Sequence, residues 1–181
     1  MRVLLLALPL LASPALAEDG SPPLWFTEAD LDEDGVVEAY ALHEDGESSV
    51  DLVVTEGTEE RVVPGAAWTG GAFGQLPELD VSQGGSVLLT SRNDAIGRDR
   101  WQLVLTIAHR EGDWRVAGIT YERRDTLDPA AWGRCDLNLL SGRGVVETAS
   151  GVREVEVPDA PLLWEWSEAD LPDLLPVECF G

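Results

Sequence analysis

Residues 101–121 read WQLVLTIAHREGDWRVAGITY and carry the clearest structural signal in the chain. Two runs of alternating or β-branched residues, Trp101–Arg110 and Asp113–Tyr121, are separated only by Glu111-Gly112. A two-residue connection that contains glycine favours a tight β-hairpin. This stretch therefore predicts two long antiparallel strands and sets the expected fold class.

The period of two along a strand predicts which side chains of this hairpin share a face. The register that the turn imposes places Ile107 opposite Val116 and Leu105 opposite Gly118. We expect one face to belong to the core, and its members are Trp101, Leu103, Leu105, Ile107, His109, Trp114, Val116 and Thr120. The second strand then turns the following residues to the opposite, half-polar face: Arg115, Ala117, Ile119 and Tyr121.

Short strands recur on both sides of the hairpin, between Gly, Asp and Pro residues. This spacing predicts an all-β chain, an antiparallel β-sandwich or open barrel with short helical turns. Capping boxes at residues 27–30 and 167–170 predict two such turns, and the glycine-rich residues 64–77 predict a long loop. The further predicted strands are Val36–Leu42, Val50–Thr55, Arg61–Val63, Glu78–Val81, Ser86–Ser91, Asp136–Leu140, Gly144–Glu147 and Arg153–Val157.

The N-terminus has the pattern of a secretory signal peptide. A single Arg2 precedes the apolar run Val3–Leu11, and Ala15-Leu16-Ala17 is a small-residue cleavage site. We therefore expect residues 1–17 to be removed after Ala17, leaving a single β-rich domain of residues 18–181. The expected location is periplasmic or extracellular.

The chain has two cysteines, Cys135 and Cys179. An oxidising compartment and an even count favour one disulfide between them, although two separate buried thiols are the alternative. Cys179 lies close to the C-terminus, so the predicted bond ties the C-terminal tail to the domain.

Composition limits the partners of this chain. There are 34 acidic residues against 12 basic ones, all of them Arg, for a net charge of −22. Such a chain lacks the basic surface that nucleic acid requires, and it is repelled by anionic membrane surfaces. No apolar run outside the N-terminus is long enough to span a bilayer. The absence of Lys fits either a high-salt habitat or a GC-rich genome.

Charge is also distributed unevenly along the chain. Residues 28–60 hold 13 acids and no Arg, which predicts either a solvated acidic face or a partner-binding surface. The middle of the chain is mixed, and four of its arginines can form a small basic rim or pair with nearby acids. These arginines are Arg98, Arg100, Arg123 and Arg124, and the acids are Asp94, Asp99, Glu122 and Asp125.

One motif carries metal chemistry. Asp30, Asp32 and Asp34 alternate and are followed by Gly35, which allows a sharp turn. The carbonyl of Val36 and the side chain of Glu38 complete a set of hard oxygen donors, which suits a structural Ca²⁺ ion. An EF-hand would need Glu at position 12 of the loop, where this chain has Ala41, and the residues that follow predict a strand. The alternative is an acidic turn without an ion.

Residues 29–42 resemble the calcium hairpins of FG-GAP and VCBS-type repeats, in which an acidic loop of this spacing runs directly into a β-strand. The resemblance implies Ca²⁺ bound by Asp30, Asp32, Asp34, Val36 and Glu38. The segment occurs once here, so only the local hairpin is carried over. Residues 93–101, the central hairpin and residues 125–142 also resemble an uncharacterised group of short secreted bacterial proteins, a resemblance that implies no activity.

The remaining motifs favour a binding role over catalysis. The chain has two histidines, His43 and His109, and lacks G-x-S-x-G, H-E-x-x-H and phosphate-loop motifs. Trp68 and Trp132 lie outside the clearest strands, so we expect them to face a glycan or protein ligand, unless they fill the core. The expected function is a non-enzymatic, calcium-stabilised binding or structural module; the alternative is a carboxylate-based hydrolase acting on glycans or cell-wall polymers.

Overall fold

The computed structural model describes residues 22–180, which form two antiparallel sheets packed as a β-sandwich. The predicted signal peptide and its cleavage site after Ala17 lie outside these residues. The first sheet has the order β1-β2-β3-β4 and the second the order β11-β10-β9-β8-β7-β6-β5. The strands are β1 Trp25–Ala29, β2 Glu38–Glu44, β3 Ser49–Glu56, β4 Glu59–Trp68, β5 Glu78–Val81, β6 Val87–Asn93, β7 Asp99–Arg110, β8 Asp113–Asp125, β9 Trp132–Asn138, β10 Arg143–Thr148 and β11 Gly151–Glu156.

Each sheet turns one face towards a shared apolar core, as alternation along the strands requires. In β9, for example, Cys135 and Leu137 are buried while Arg134 and Asp136 are exposed. Burying one large apolar side chain stabilises the fold by about 1.5–3 kcal/mol. The core draws on both sheets and includes Tyr40, Leu42, Leu52, Val63, Leu89, Leu103, Leu105, Ile107, Ile119 and Leu137.

The two sheets also meet edge to edge near β1 and β5. The indole Nε1 of Trp25 donates a hydrogen bond to the carbonyl oxygen of Leu79, at 2.7 Å. Because Leu79 lies in β5, this bond fixes the first hairpin of the chain against the second sheet.

The central hairpin is confirmed, but part of its predicted register is wrong. Ile107 lies opposite Val116 as expected, whereas Leu105 lies opposite Ile119 rather than Gly118. The shift arises because β8 carries one extra residue, a β-bulge, next to Ile107, and one inserted residue reverses the facing of everything beyond it. Ile119 and Tyr121 therefore enter the core, and Thr120 turns to the other face.

Three predicted boundaries differ from the structure. The capping box at residues 27–30 is wrong, because residues 25–29 form β1 and pair with β2. The predicted loop 64–77 is wrong at its start, because β4 continues to Trp68. In these two cases hydrogen bonds to a neighbouring strand outweigh the local preference. The predicted strand from Val36 begins only at Glu38, because Val36 belongs to the preceding loop, where its amide donates to Asp34 Oδ1.

The C-terminal segment packs against β4, β8 and β9 in short helical turns. These are the 3₁₀ turns Leu163–Glu165, Glu168–Asp170 and Val177–Cys179 and the single α-helical turn Leu171–Leu174. The second predicted turn is confirmed and Ser167 is its N-cap, since the amide of Ala169 donates to Ser167 Oγ at 3.3 Å. Pro172 occupies the first turn of the α-helical segment that follows.

The predicted disulfide is present and joins Cys135 to Cys179, with the two Cα atoms 5.8 Å apart. Cys135 lies in β9 and both residues are buried. The bond therefore fastens the C-terminal turns to the second sheet. Within residues 22–180, the helices are all too short to cross a membrane.

Candidate metal centre

Residues 30–37 connect β1 to β2 and fold around the carboxylates of their own aspartates. The amide of Asp34 donates to Asp32 Oδ1 at 3.1 Å, and the amide of Gly35 donates to Asp30 Oδ2 at 3.1 Å. The amide of Val36 donates to Asp34 Oδ1 at 2.7 Å. Gly35 has a φ of 89°, a conformation that glycine adopts without strain. The chain is thereby bent so that alternate side chains point to a common centre.

Four carboxylates converge at this centre. Asp30, Asp32, Asp34 and Glu38 each offer one oxygen, and these oxygens lie within 4.8 Å of one another. Two oxygens that share one Ca²⁺ at about 2.4 Å can lie at most about 4.8 Å apart. The spacing is therefore compatible with one shared cation, and the cluster could hold a metal ion.

Glu38 is the buried member of the cluster, with no solvent exposure. Its Oε2 accepts hydrogen bonds from the amide of Leu31 at 2.9 Å and from the hydroxyl of Tyr40 at 3.3 Å. Its Oε1 is buried and has no hydrogen-bond partner among residues 22–180. Burial raises the pKa of Glu38, and the charges of Asp32 and Asp30 raise it further. A buried carboxylate beside other carboxylates is costly unless a cation is present.

A chain of contacts links Glu38 to the second sheet. The hydroxyl of Tyr40 donates to Glu38 and accepts a hydrogen bond from the indole Nε1 of Trp114, at 3.0 Å. Trp114 lies in β8, where its ring packs against His109 at 4.9 Å and Trp164 at 5.9 Å between centroids. The cluster is therefore connected to the core rather than isolated on a surface loop.

The structure thus brings together all four side chains that the sequence singled out as metal ligands. The fifth predicted ligand, the carbonyl of Val36, stays a prediction, because only its amide contact is defined. The kind of metal is likewise a prediction.

The two predicted ligand-facing tryptophans lie in different strands. Trp68 ends β4, is half-buried and packs against Trp101 with 5.3 Å between centroids. Trp132 begins β9 and is 38% exposed. One flank of Trp68 is therefore covered, Trp132 remains on the surface, and a ligand role for either is still a prediction.

A further buried carboxylate, Glu168, was not singled out as a site residue. Its Oε2 accepts hydrogen bonds from the amide of Trp68 at 2.7 Å and from Ser91 Oγ at 2.8 Å. Burial raises its pKa. The only sequence signal was its place in the second capping box, which predicts a helix start and says nothing of burial. Glu168 also lines a groove of about 300 Å³ beside Trp68, together with Ser48, Ser49, Gly65, Ala67, Ser167 and Ala169.

Comparisons of this chain with models of protein families, with curated proteins and with solved structures found no match. Its function must therefore be inferred from the chemistry of its own residues.

Proposed function

We propose that residues 30–38 bind a structural Ca²⁺ ion and that the chain is an exported, calcium-stabilised β domain with a non-enzymatic binding or structural role. One observation carries the proposal: four carboxylates converge within 4.8 Å, and one of them, Glu38, is buried with an oxygen that has no hydrogen-bond partner in the described part of the chain. Four negative charges at this spacing repel one another strongly, and a divalent cation removes that repulsion.

The donor set favours Ca²⁺ over other metals. All the side-chain donors are carboxylate oxygens, which suit hard cations, whereas zinc sites use Cys and His. Ca²⁺ accepts six to eight oxygens in flexible geometry, so four side chains, a carbonyl such as that of Val36 and water would complete it. Mg²⁺ demands a stricter octahedral arrangement.

The position of the cluster supports a structural role for the ion. It sits at the turn between β1 and β2, and Glu38 begins β2 directly after the loop. An ion there would hold the end of β1 to the start of β2. Through Tyr40 and Trp114, it would also hold the first sheet against the second. Both histidines pack elsewhere, His43 within β2 and His109 against Trp114.

The proposed export rests on two features, the N-terminal signal pattern and the disulfide between Cys135 and Cys179. Disulfides persist in oxidising compartments such as the periplasm and the extracellular space.

The hydrolase alternative has less support than a binding role. Glycoside hydrolysis by carboxylates needs two such groups facing one another across the scissile bond. Glu168 has a raised pKa and lines a groove, but it is the single carboxylate among the residues that line it.

The test is thermal unfolding of residues 18–181, with excess Ca²⁺ and with EDTA, for the wild type and for Asp32→Asn. An ion bound only to the native state stabilises it by about 2.7 kcal/mol at a hundredfold excess over the dissociation constant. For a chain of this size that corresponds to about 5–11 °C in Tm. We expect Asp32→Asn to lose most of that gain.

Glu33→Gln is the matched control, because Glu33 lies in the same loop and is exposed but is outside the cluster. It should keep the Ca²⁺ response of the wild type. Coincident wild-type curves in Ca²⁺ and EDTA would show that residues 30–38 are an acidic turn and would overturn the proposal.

A further inference from the structure

Three loops at one end of the second sheet expose large apolar side chains. Because neighbouring strands are antiparallel, the segment before β5, the β6–β7 loop and the β8–β9 loop all lie at the same end. Phe73 is 97% exposed, Leu127 is 75% exposed and Ile96 is 59% exposed. We call these three side chains the apolar tips.

The loops that carry the apolar tips are fixed to one another. The amide of Asp94 donates to the carbonyl of Gly74 at 3.0 Å, and the amide of Thr126 donates to the carbonyl of Arg98 at 2.9 Å. Two ion pairs add to this, from Arg124 to Asp94 at 2.8 Å and from Arg98 to Asp125 at 2.6 Å. Arg98 and Arg124 therefore pair with acids, which is one of the two arrangements expected from the sequence, and do not form a free basic rim. The tips are therefore held outwards by ordered contacts.

The charge at this end differs from that of the rest of the molecule. The β2–β3 loop lies at the same end, since the amide of Thr69 donates to the carbonyl of Ser48. Residues 44–48, 69–78, 92–100 and 123–134 together contain six Arg and eight acids, and the remainder of the chain contains six Arg and 26 acids. The end with the apolar tips is therefore only weakly acidic, while the body is strongly acidic. A weakly charged apolar surface meets less repulsion from another surface than the body does.

We propose that the apolar tips insert reversibly into the interface of an electrically neutral lipid layer, with the acidic body facing away. A rigid protein partner must offer a pocket that matches a protruding side chain such as Phe73, whereas a lipid layer deforms around it. Trp132, at the start of β9 next to the Leu127 loop, is 38% exposed and is of the residue type that prefers the membrane–water interface. The exposed arginines Arg98 and Arg124 fit the headgroup level.

Binding to lipid should depend on the charge of the lipid and should withstand salt. The net charge of −22 disfavours anionic lipids, so neutral lipids should bind the protein better. Insertion of apolar side chains is not weakened by salt, while binding through charges is screened between about 0.1 M and about 1 M. The proposal is independent of Ca²⁺, because Glu38 of the metal loop connects through Tyr40 to Trp114, which lies beside the β7–β8 turn at the other end of the second sheet.

The experiment is co-flotation of residues 18–181, which contain every strand of both sheets, with vesicles of phosphatidylcholine alone or mixed with phosphatidylserine. Residues 1–17 are omitted because Val3–Leu11 would itself bind lipid. We expect binding to the neutral vesicles that persists at about 1 M salt, and weaker binding to the anionic ones. Because each tip buries a large apolar side chain, Phe73→Ser and Leu127→Ser should each weaken the partition constant at least about tenfold.

Leu140→Ser is the matched control, because Leu140 is 45% exposed in the β9–β10 turn, at the other end of the sheet. It should leave binding unchanged. The proposal is overturned if the folded wild type fails to float with neutral vesicles, if Leu140→Ser weakens binding as much as Phe73→Ser, or if binding requires anionic lipid and disappears in salt. Sedimentation velocity on the same samples adds one more refuting outcome. The proposal is also overturned if the wild type does not bind vesicles but forms a dimer that Phe73→Ser dissociates.

Discussion

Replacement of Glu38 by Gln should raise the stability of the metal-free protein and remove most of its response to Ca²⁺. The side chain is fully buried, and its Oε1 has no hydrogen-bond partner within residues 22–180. Gln keeps an oxygen that can accept from Leu31 and Tyr40, as Glu38 Oε2 does now. Its amide group is neutral and adds a hydrogen-bond donor beside the aspartate carboxylates of the cluster. The substitution therefore removes a charge without removing the hydrogen bonds.

The magnitude follows from the spacing of the cluster. At the limiting separation of 4.8 Å, two unit charges repel by about 0.9 kcal/mol in water and about 3.5 kcal/mol at an effective dielectric of about 20. Glu38 is buried but its aspartate neighbours are partly solvated, so we expect a gain of about 2 kcal/mol, or about 4–8 °C in Tm. If the affinity for Ca²⁺ falls about a hundredfold, a stabilisation of about 2.7 kcal/mol becomes about 0.4 kcal/mol.

The assay is thermal unfolding by circular dichroism at about pH 8, well above the ordinary pKa of a carboxyl group, in EDTA and in excess Ca²⁺. Glu33→Gln removes a charge from the same loop but outside the cluster. It should change the Tm little, both in EDTA and in excess Ca²⁺. The reasoning is refuted if Glu38→Gln lowers the Tm in EDTA by several degrees, or if its Ca²⁺ response equals that of the wild type.

Three further predictions concern the connections of the cluster and the core. Trp114→Phe should remove most of the change in tryptophan fluorescence on Ca²⁺ addition, because the Trp114 indole is bonded to the Tyr40 hydroxyl that contacts Glu38. Loss of the disulfide in a Cys135→Ser, Cys179→Ser double variant should cost about 4 kcal/mol in denaturant unfolding, from the chain entropy of a loop with a sequence separation of 44. Burial raises the pKa of Glu168, so folding favours its protonated form. The free energy of unfolding of the wild type, relative to that of Glu168→Gln, should therefore rise as the pH falls through the raised pKa towards the ordinary value of 4.5. Urea titrations at several pH values can measure this difference.

Each of these has an outcome that contradicts it. An unchanged fluorescence response in Trp114→Phe would place the metal-sensitive indole elsewhere. A double cysteine variant as stable as the wild type would mean that the bond adds no constraint to the unfolded chain. Parallel pH profiles of the wild type and Glu168→Gln would show that Glu168 titrates alike in the folded and unfolded states.

Much of the metal cluster could be predicted from sequence because its information is local. Asp30, Asp32, Asp34 and Glu38 lie within nine residues, and the turn at Gly35 is encoded by the residue itself. The same holds for the tight turn at Glu111-Gly112, where Ile107 and Val116 pair as expected. The burial of Glu38 could not be predicted, because it depends on Tyr40 and on strands that lie far away in the chain.

Sequence alone is enough to predict the β class, the antiparallel central hairpin, the pairing of Cys135 with Cys179 and the carboxylates of the metal loop. These follow from short-range periodicity, turn chemistry and residue count. Tertiary contacts are needed to explain the bulge that turns Ile119 and Tyr121 inwards, the role of residues 25–29 as a strand and the burial of Glu168. Each depends on a partner distant in sequence: a neighbouring strand that fixes register, or a packed surface that excludes water. The free energy of those contacts outweighs local preference, so no local pattern can encode it.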